Sequence, residues 1–170
     1  MSEPAMPLPA PALLAIAYAP KQVREQLRWL LSFDQRLGEI GKRAREPMIA
    51  QLRLAWWRDM LAKSAGDRPK GEPLLNQLGE DAIATGAAVQ LVDAHELYWG
   101  DDPVAAGGAR DAAIAGAYAS WLGVAPIAMS SRQSRPLSIL STAAKLQNGD
   151  APAGLFGPGI RLVWHALTGR

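Results

Sequence analysis

The chain contains no cysteine, which excludes disulfides, thiolate metal sites, iron–sulfur clusters and a cysteine nucleophile. It has only two histidines, His95 and His165, too few for a histidine-rich metal site or a histidine relay. No run of about 18 uncharged apolar residues is long enough to span a bilayer. The nearest, Ala10 to Pro20, is bracketed by prolines. Met1 to Ala10 lacks a basic region and contains Glu3, so no secretory signal is read there. Neither GxGxxG nor GxxxxGKS occurs, and there is no Gly-x-Ser-x-Gly elbow. Basic and aromatic residues are not interleaved as in RNA-binding modules, so nucleic acid is not an expected partner. These absences predict a cytoplasmic protein, with peripheral membrane contact left open.

What is present suits a folded domain. The 170 residues are 49% hydrophobic and 20% charged, ordinary values for a globular chain that buries a substantial core. The net charge of +2 conceals a strong asymmetry: +6 over residues 21–70, −7 over 71–120 and +4 over 121–170. Such blocks attract one another within a fold, or offer a basic face to phosphates or anionic lipid.

Four prolines in residues 1–11 predict a flexible tail, leaving 12–170 as a single helical domain. Val23, Leu27, Leu30, Leu31 and Leu37 recur at helical spacing and predict a helix from Lys21 to about Ile40, with Pro20 at its first position. Glu46-Pro47 opens a second helix to about Lys63, its apolar stripe read as Ile49, Leu52, Trp56 and Met60. Residues 66–73 (GDRPKGEP) form a loop by composition. Leu74 to Trp99 reads as helix with a break near Gly86, followed by a turn at Gly100 to Pro103. A small-residue helix covers about Val104 to Leu122. Ala125 to Arg135 reads as irregular, Pro136 to Leu146 as a short helix, Gly149 to Gly159 as a link and Ile160 to Leu167 as an amphipathic end. No strand alternation occurs, so the fold class is all-α.

Two charges fall on apolar stripes. Asp34 lies between Leu30, Leu31 and Leu37, and Arg53 lies beside Ile49, Trp56 and Met60. A carboxylate there is costly unless paired, hydrated or coordinating a cation. Either the two pair across their helices as a structural bridge, or both face a polar cavity of the kind in which helical bundles bind ligands. Trp56 reads as core and Trp57 as flank, either packed or forming an aromatic wall for an apolar ligand or membrane interface. His95, between Asp93 and Glu96, reads as a surface histidine among acids. Asp101-Asp102-Pro103 reads as turn chemistry.

Three segments carry a resemblance. They are WLLSFDQRLGEI (29–40), REPMIAQLRLAWWRD (45–59) and LVDAHELYWGDDP (91–103). Together they resemble the squalene/phytoene synthase family. The branch is a bacterial one similar to the phytoene-synthase-like respiratory complex I assembly factor. The resemblance covers about residues 12–122, in a chain shortened relative to that family. It implies a partial isoprenoid-synthase-like helical bundle. Active members condense prenyl diphosphates, with two Asp-rich motifs holding Mg²⁺ against the diphosphate charge.

The chain departs from that pattern. Aligned on Asp34, a DxxxD motif needs an acid at Gly38; aligned on Phe33, only Glu39 is acidic. Between Ala112 and Arg170 the sole acid is Asp150, so a second Asp-rich motif has no residues. The expectation is a catalytically degenerate module that binds a protein or an apolar, prenyl-like ligand and needs no cofactor. Self-association is also open. Two alternatives stand beside it. One is an active Mg²⁺-dependent prenyl transferase drawing on Asp34, Glu39, Asp93 and Glu96. The other is a peripheral lipid-binding protein using the basic first half with Trp29, Trp56 and Trp57. The candidate ligand-facing residues are Asp34, Glu39, Arg53, Trp56, Trp57, Asp93 and Glu96.

Overall fold

The computed structural model describes residues 7–44, 46–98, 103–125 and 129–147. Seven α-helices make up its architecture, with no strand among the described residues: α1 (Ala10–Tyr18), α2 (Arg24–Arg43), α3 (Pro47–Leu61), α4 (Pro73–Leu78), α5 (Ala82–Tyr98), α6 (Pro103–Trp121) and α7 (Ser131–Gln147). The all-α fold class is therefore correct. The turn at Gly100–Asp102, the link at 149–159 and the end at 160–167 lie outside the described residues.

α2 is the axis. Its Leu27, Leu30, Leu31, Phe33, Leu37 and Ile40 are buried together with Asp34, and the other charged residues of the helix are partly or fully exposed. This is the one-sided pattern that docks a helix on a core. α3 and α5 pack on α2 and on each other, α6 lies along α5, and α1 packs on α7. Trp29 stacks on Phe33 at 5.4 Å between ring centroids, and Phe33 and Trp57 pack nearly perpendicularly at 5.1 Å. Trp29 Nε1 also donates to the Leu74 carbonyl at 2.9 Å, tying α4 to α2.

Local chemistry sets the helix ends. Pro47 occupies the first turn of α3, where a missing N–H costs nothing. Pro20 instead precedes a single 3₁₀ turn, Lys21–Val23, and α2 begins at Arg24. α1 starts at Ala10, inside the stretch read as tail, and Gln35 Nε2 donates to the Pro7 carbonyl at 3.1 Å. The predicted break near Gly86 falls at Gly79, where φ is +56°. Asp81 then caps α5 by accepting from the Ala84 N–H at 2.9 Å. Gly86 lies inside α5. The buried Arg68 closes the loop between α3 and α4, donating to the carbonyls of Lys63 at 3.1 Å and Gly79 at 2.6 Å. Gly123, at φ +67°, ends α6, and the Val124 N–H reaches back to the Ala119 carbonyl at 3.1 Å. α7 begins at Ser131, within the stretch read as irregular, and carries Pro136 inside it.

Candidate functional site

Asp34 is buried where α2, α5 and α6 meet. Its partner is not Arg53. Arg110, on α6, donates from Nε to Oδ1 at 2.8 Å and from Nη2 to Oδ2 at 2.5 Å, a two-point grip. His95, on α5, places Nε2 at 3.0 Å from Oδ1. Burial pushes the Asp34 carboxyl upward, but the His95 hydrogen bond and the charge and hydrogen bonds of Arg110 outweigh it, so the group sits below its ordinary value. His95 is thus turned inward and only partly exposed, rather than sitting on the surface among acids. Gly38, one turn beyond Asp34, leaves its side open to His95. A Cβ there would stand 3.8 Å from the imidazole Cε1. The position that would hold the second acid of a DxxxD motif therefore faces an imidazole.

Arg53 is exposed on α3. The expected stripe on that helix is also displaced: Ala50, Leu54, Trp57 and Leu61 are buried, while Ile49, Leu52 and Trp56 are exposed. Trp57 is 3% exposed and Trp56 40%, the reverse of the expectation. The reason lies in packing. Ala50 allows close approach to the neighbouring helices, and Trp57 fills the space against Phe33 with an edge-to-face contact. Trp56 lies on the outer side of Trp57, ring centroids 5.1 Å apart.

Asp93 and Glu96 do come together, on Arg58 of α3. Arg58 Nη1 and Nη2 bond the two Glu96 oxygens at 2.8 and 2.9 Å, and Nη2 also pairs with Asp93. Glu96 first, and then Asp93, hold the Arg58 guanidinium more firmly protonated than usual. Glu39 accepts from Lys42 at 2.9 Å and lies 3.8 Å from Arg43, on its own helix. The carboxylates that a metal-dependent transferase would gather are thus distributed over separate cation partners. Among the described residues no group of three or more histidines and acids is placed to hold a metal ion.

Glu39, Arg53, Trp56 and Trp57 share a cleft of about 510 Å³ between α2 and α3, completed by Arg36, Ile40, Arg43 and Glu72. Arg36 and Glu72 bridge its far side at 3.8 Å. One wall is aromatic and the rim holds three arginines against two glutamates. The cleft is open to solvent, and five of its eight lining residues are charged.

Sequence reasoning missed Arg110. The available signal was compositional: it is the sole cation of residues 71–120, set in a helix otherwise made largely of alanine and glycine. A lone arginine on such a helix needs a carboxylate partner, and Asp34 was a carboxylate in need of a cation. No family model matches the chain, and neither does any curated protein or any solved structure.

Proposed function

We propose that this chain is a squalene/phytoene synthase-like helical bundle that binds rather than catalyses. In this reading it presents the α2–α3 cleft and the outer side of α3 to an apolar partner or ligand. One observation carries the reading: Asp34, Asp93 and Glu96 are each covered by an arginine of the chain itself. Opening the Arg110–Asp34 grip to admit Mg²⁺ would leave the partly buried guanidinium only its contact with Asp111 at 3.2 Å, a change expected to cost about 2–3 kcal/mol. The same neutralisation weakens the field that would attract a dication to the bundle interior. Binding capacity sits elsewhere, where Trp56 and Leu52 face outward beside Arg53.

Calorimetry with a non-hydrolysable farnesyl diphosphate analogue tests the non-catalytic half of the proposal. The expected result is that Mg²⁺ makes no difference to the heat of mixing. Saturable binding that requires Mg²⁺ would overturn the proposal in favour of a metal-dependent prenyl transferase. A photo-crosslinker at position 52 tests the binding half. The expected result is a discrete adduct in host cells, absent when the crosslinker stands at the exposed Gln90 of α5. Equal, diffuse labelling from both positions would refute it.

A further inference from the structure

α1 carries no charged residue, and its outer side is open. Leu13 is 47% exposed, Leu14 49% and Tyr18 51%, with Ala10 and Ala17 exposed beside them. At about 100° per residue these five share an arc of roughly 140°. Ala12, Ala15 and Ile16 are buried on the opposite side. A helix that is apolar all round belongs between two layers. The described neighbours, α2 and α7, pack on α1 and leave this outer row uncovered. Two cations reach its C-terminal end. Arg24 donates to the Ala17 and Ala19 carbonyls at 2.8 Å, and the Arg135 guanidinium lies 6.0 Å from the centre of the Tyr18 ring.

The Arg135 contact sets the direction of α7. Arg135 stands near the start of α7 and Tyr18 ends α1, so the two packed helices run antiparallel, and α7 carries the chain to Gln147 at the Ala10 end. The chain continues through residues 148–170, outside the described residues. From this arrangement we propose that residues 160–167 seat as a helix on the outer row of α1. The pattern of that segment fits the seat: Ile160, Val163, Trp164 and Leu167 recur at the i, i+3, i+4, i+7 spacing of one helical face, with Arg161 and His165 off it. Its length fits as well, since eight residues make a helix about 12 Å long, against about 13 Å for α1. The link, residues 148–159, is long enough, because twelve residues extend to at most about 40 Å.

The size of the row selects a tethered occupant over a free one. With its side chains α1 is about 13 Å long and about 10 Å wide. That area is several-fold below the roughly 800 Å² that each partner of a stable complex buries. A segment of the same chain needs less contact, because its link holds it at an effective concentration on the order of millimolar. The row bears no charge, so in this seating it meets the apolar face of the segment and leaves Arg161 and His165 to solvent.

The absence of cysteine permits a direct test on the full chain. Leu14→Cys places a single thiol on the α1 row, and Leu52→Cys places one on the exposed side of α3. A seat filled about nine-tenths of the time slows the reaction of a covered thiol about tenfold. The thiol at position 14 should therefore react with a maleimide about tenfold more slowly than the one at position 52. Trp164→Glu should restore fast labelling at position 14 and leave position 52 unchanged. Under mild oxidation, Leu13→Cys with Val163→Cys should close a disulfide within the monomer, whereas Leu52→Cys with Val163→Cys should not. Equal labelling at positions 14 and 52, labelling at position 14 unmoved by Trp164→Glu, or equal disulfide yield from both pairs would each overturn the proposal. Disulfide-linked dimers from the pair at 13 and 163 would overturn it in favour of a second copy. Protection of position 14 that appears only with added phospholipid vesicles would overturn it in favour of a lipid surface.

Discussion

Arg110 grips both carboxylate oxygens of Asp34 across 76 residues of sequence, joining α6 to α2 through the interior. The pair, with His95 as a third member, is the polar centre of an otherwise apolar junction.

Asp34→Asn is expected to destabilise the fold by about 2–3 kcal/mol at neutral pH. This lies below the usual cost of breaking a fully buried pair, because the Arg110 side chain is about a third exposed. The pH dependence follows from the depressed carboxyl. A carboxyl whose folded value lies below its unfolded value stabilises fully above the unfolded value. That contribution fades as pH falls through the folded value. Wild-type stability should therefore decline below about pH 4, and the Asp34→Asn variant should show a flatter acid limb. Urea midpoints from pH 7 to pH 2 measure both effects.

Adjacent tryptophans should respond unequally. Trp57→Ala removes a buried ring from the Phe33 contact and should cost about 3–5 kcal/mol. Trp56→Ala trims an outward ring that retains one aromatic contact, and should cost about 1 kcal/mol. Guanidinium unfolding of the two variants would check this, and equal losses would contradict the assignment of faces.

The Tyr118 side chain is fully buried, and its hydroxyl has no hydrogen-bond partner among the described residues. Tyr118→Phe removes an unsatisfied polar group at nearly constant shape. It should be neutral or stabilise by up to about 1 kcal/mol. A drop in the calorimetric midpoint would instead reveal a partner for that hydroxyl.

Two glycine-to-alanine changes should have opposite signs. Gly79 holds φ +56° and ψ −138°, which a side chain resists, so Gly79→Ala should cost about 1–2 kcal/mol. Gly38 lies within α2, where a Cβ would meet His95 at an ordinary 3.8 Å, so Gly38→Ala should gain about 0.5–1 kcal/mol. Thermal midpoints of the two variants provide the comparison.

α2 was legible because its apolar residues share a buried side on which Asp34 is the sole charge. α3 was misread because it carries two apolar rows about 100° apart: Ile49, Leu52, Trp56 and Met60, and Ala50, Leu54, Trp57 and Leu61. Spacing alone cannot choose between such rows. The choice follows from Phe33, against which the Trp57 ring packs nearly perpendicularly. Asp34 was legible as a charge needing compensation, but its cation was not, because helix periodicity holds no information about a residue four helices further along the chain. The break before α5 was legible at Asp81 rather than at Gly86, since the capping acid marks the helix start and the glycine inside α5 has open space around it.

The long span between Asp34 and Arg110 also has a temporal meaning. During synthesis, Asp34 is made 76 residues ahead of its cation, a delay of about 4–15 s at about 5–20 residues per second. His95 follows after 61 residues. Until α6 emerges, the Asp34 carboxylate, on the face that α2 must bury, has His95 within reach but not its arginine. The contact that joins α2 to α6 is therefore available only after the chain has been made through α6.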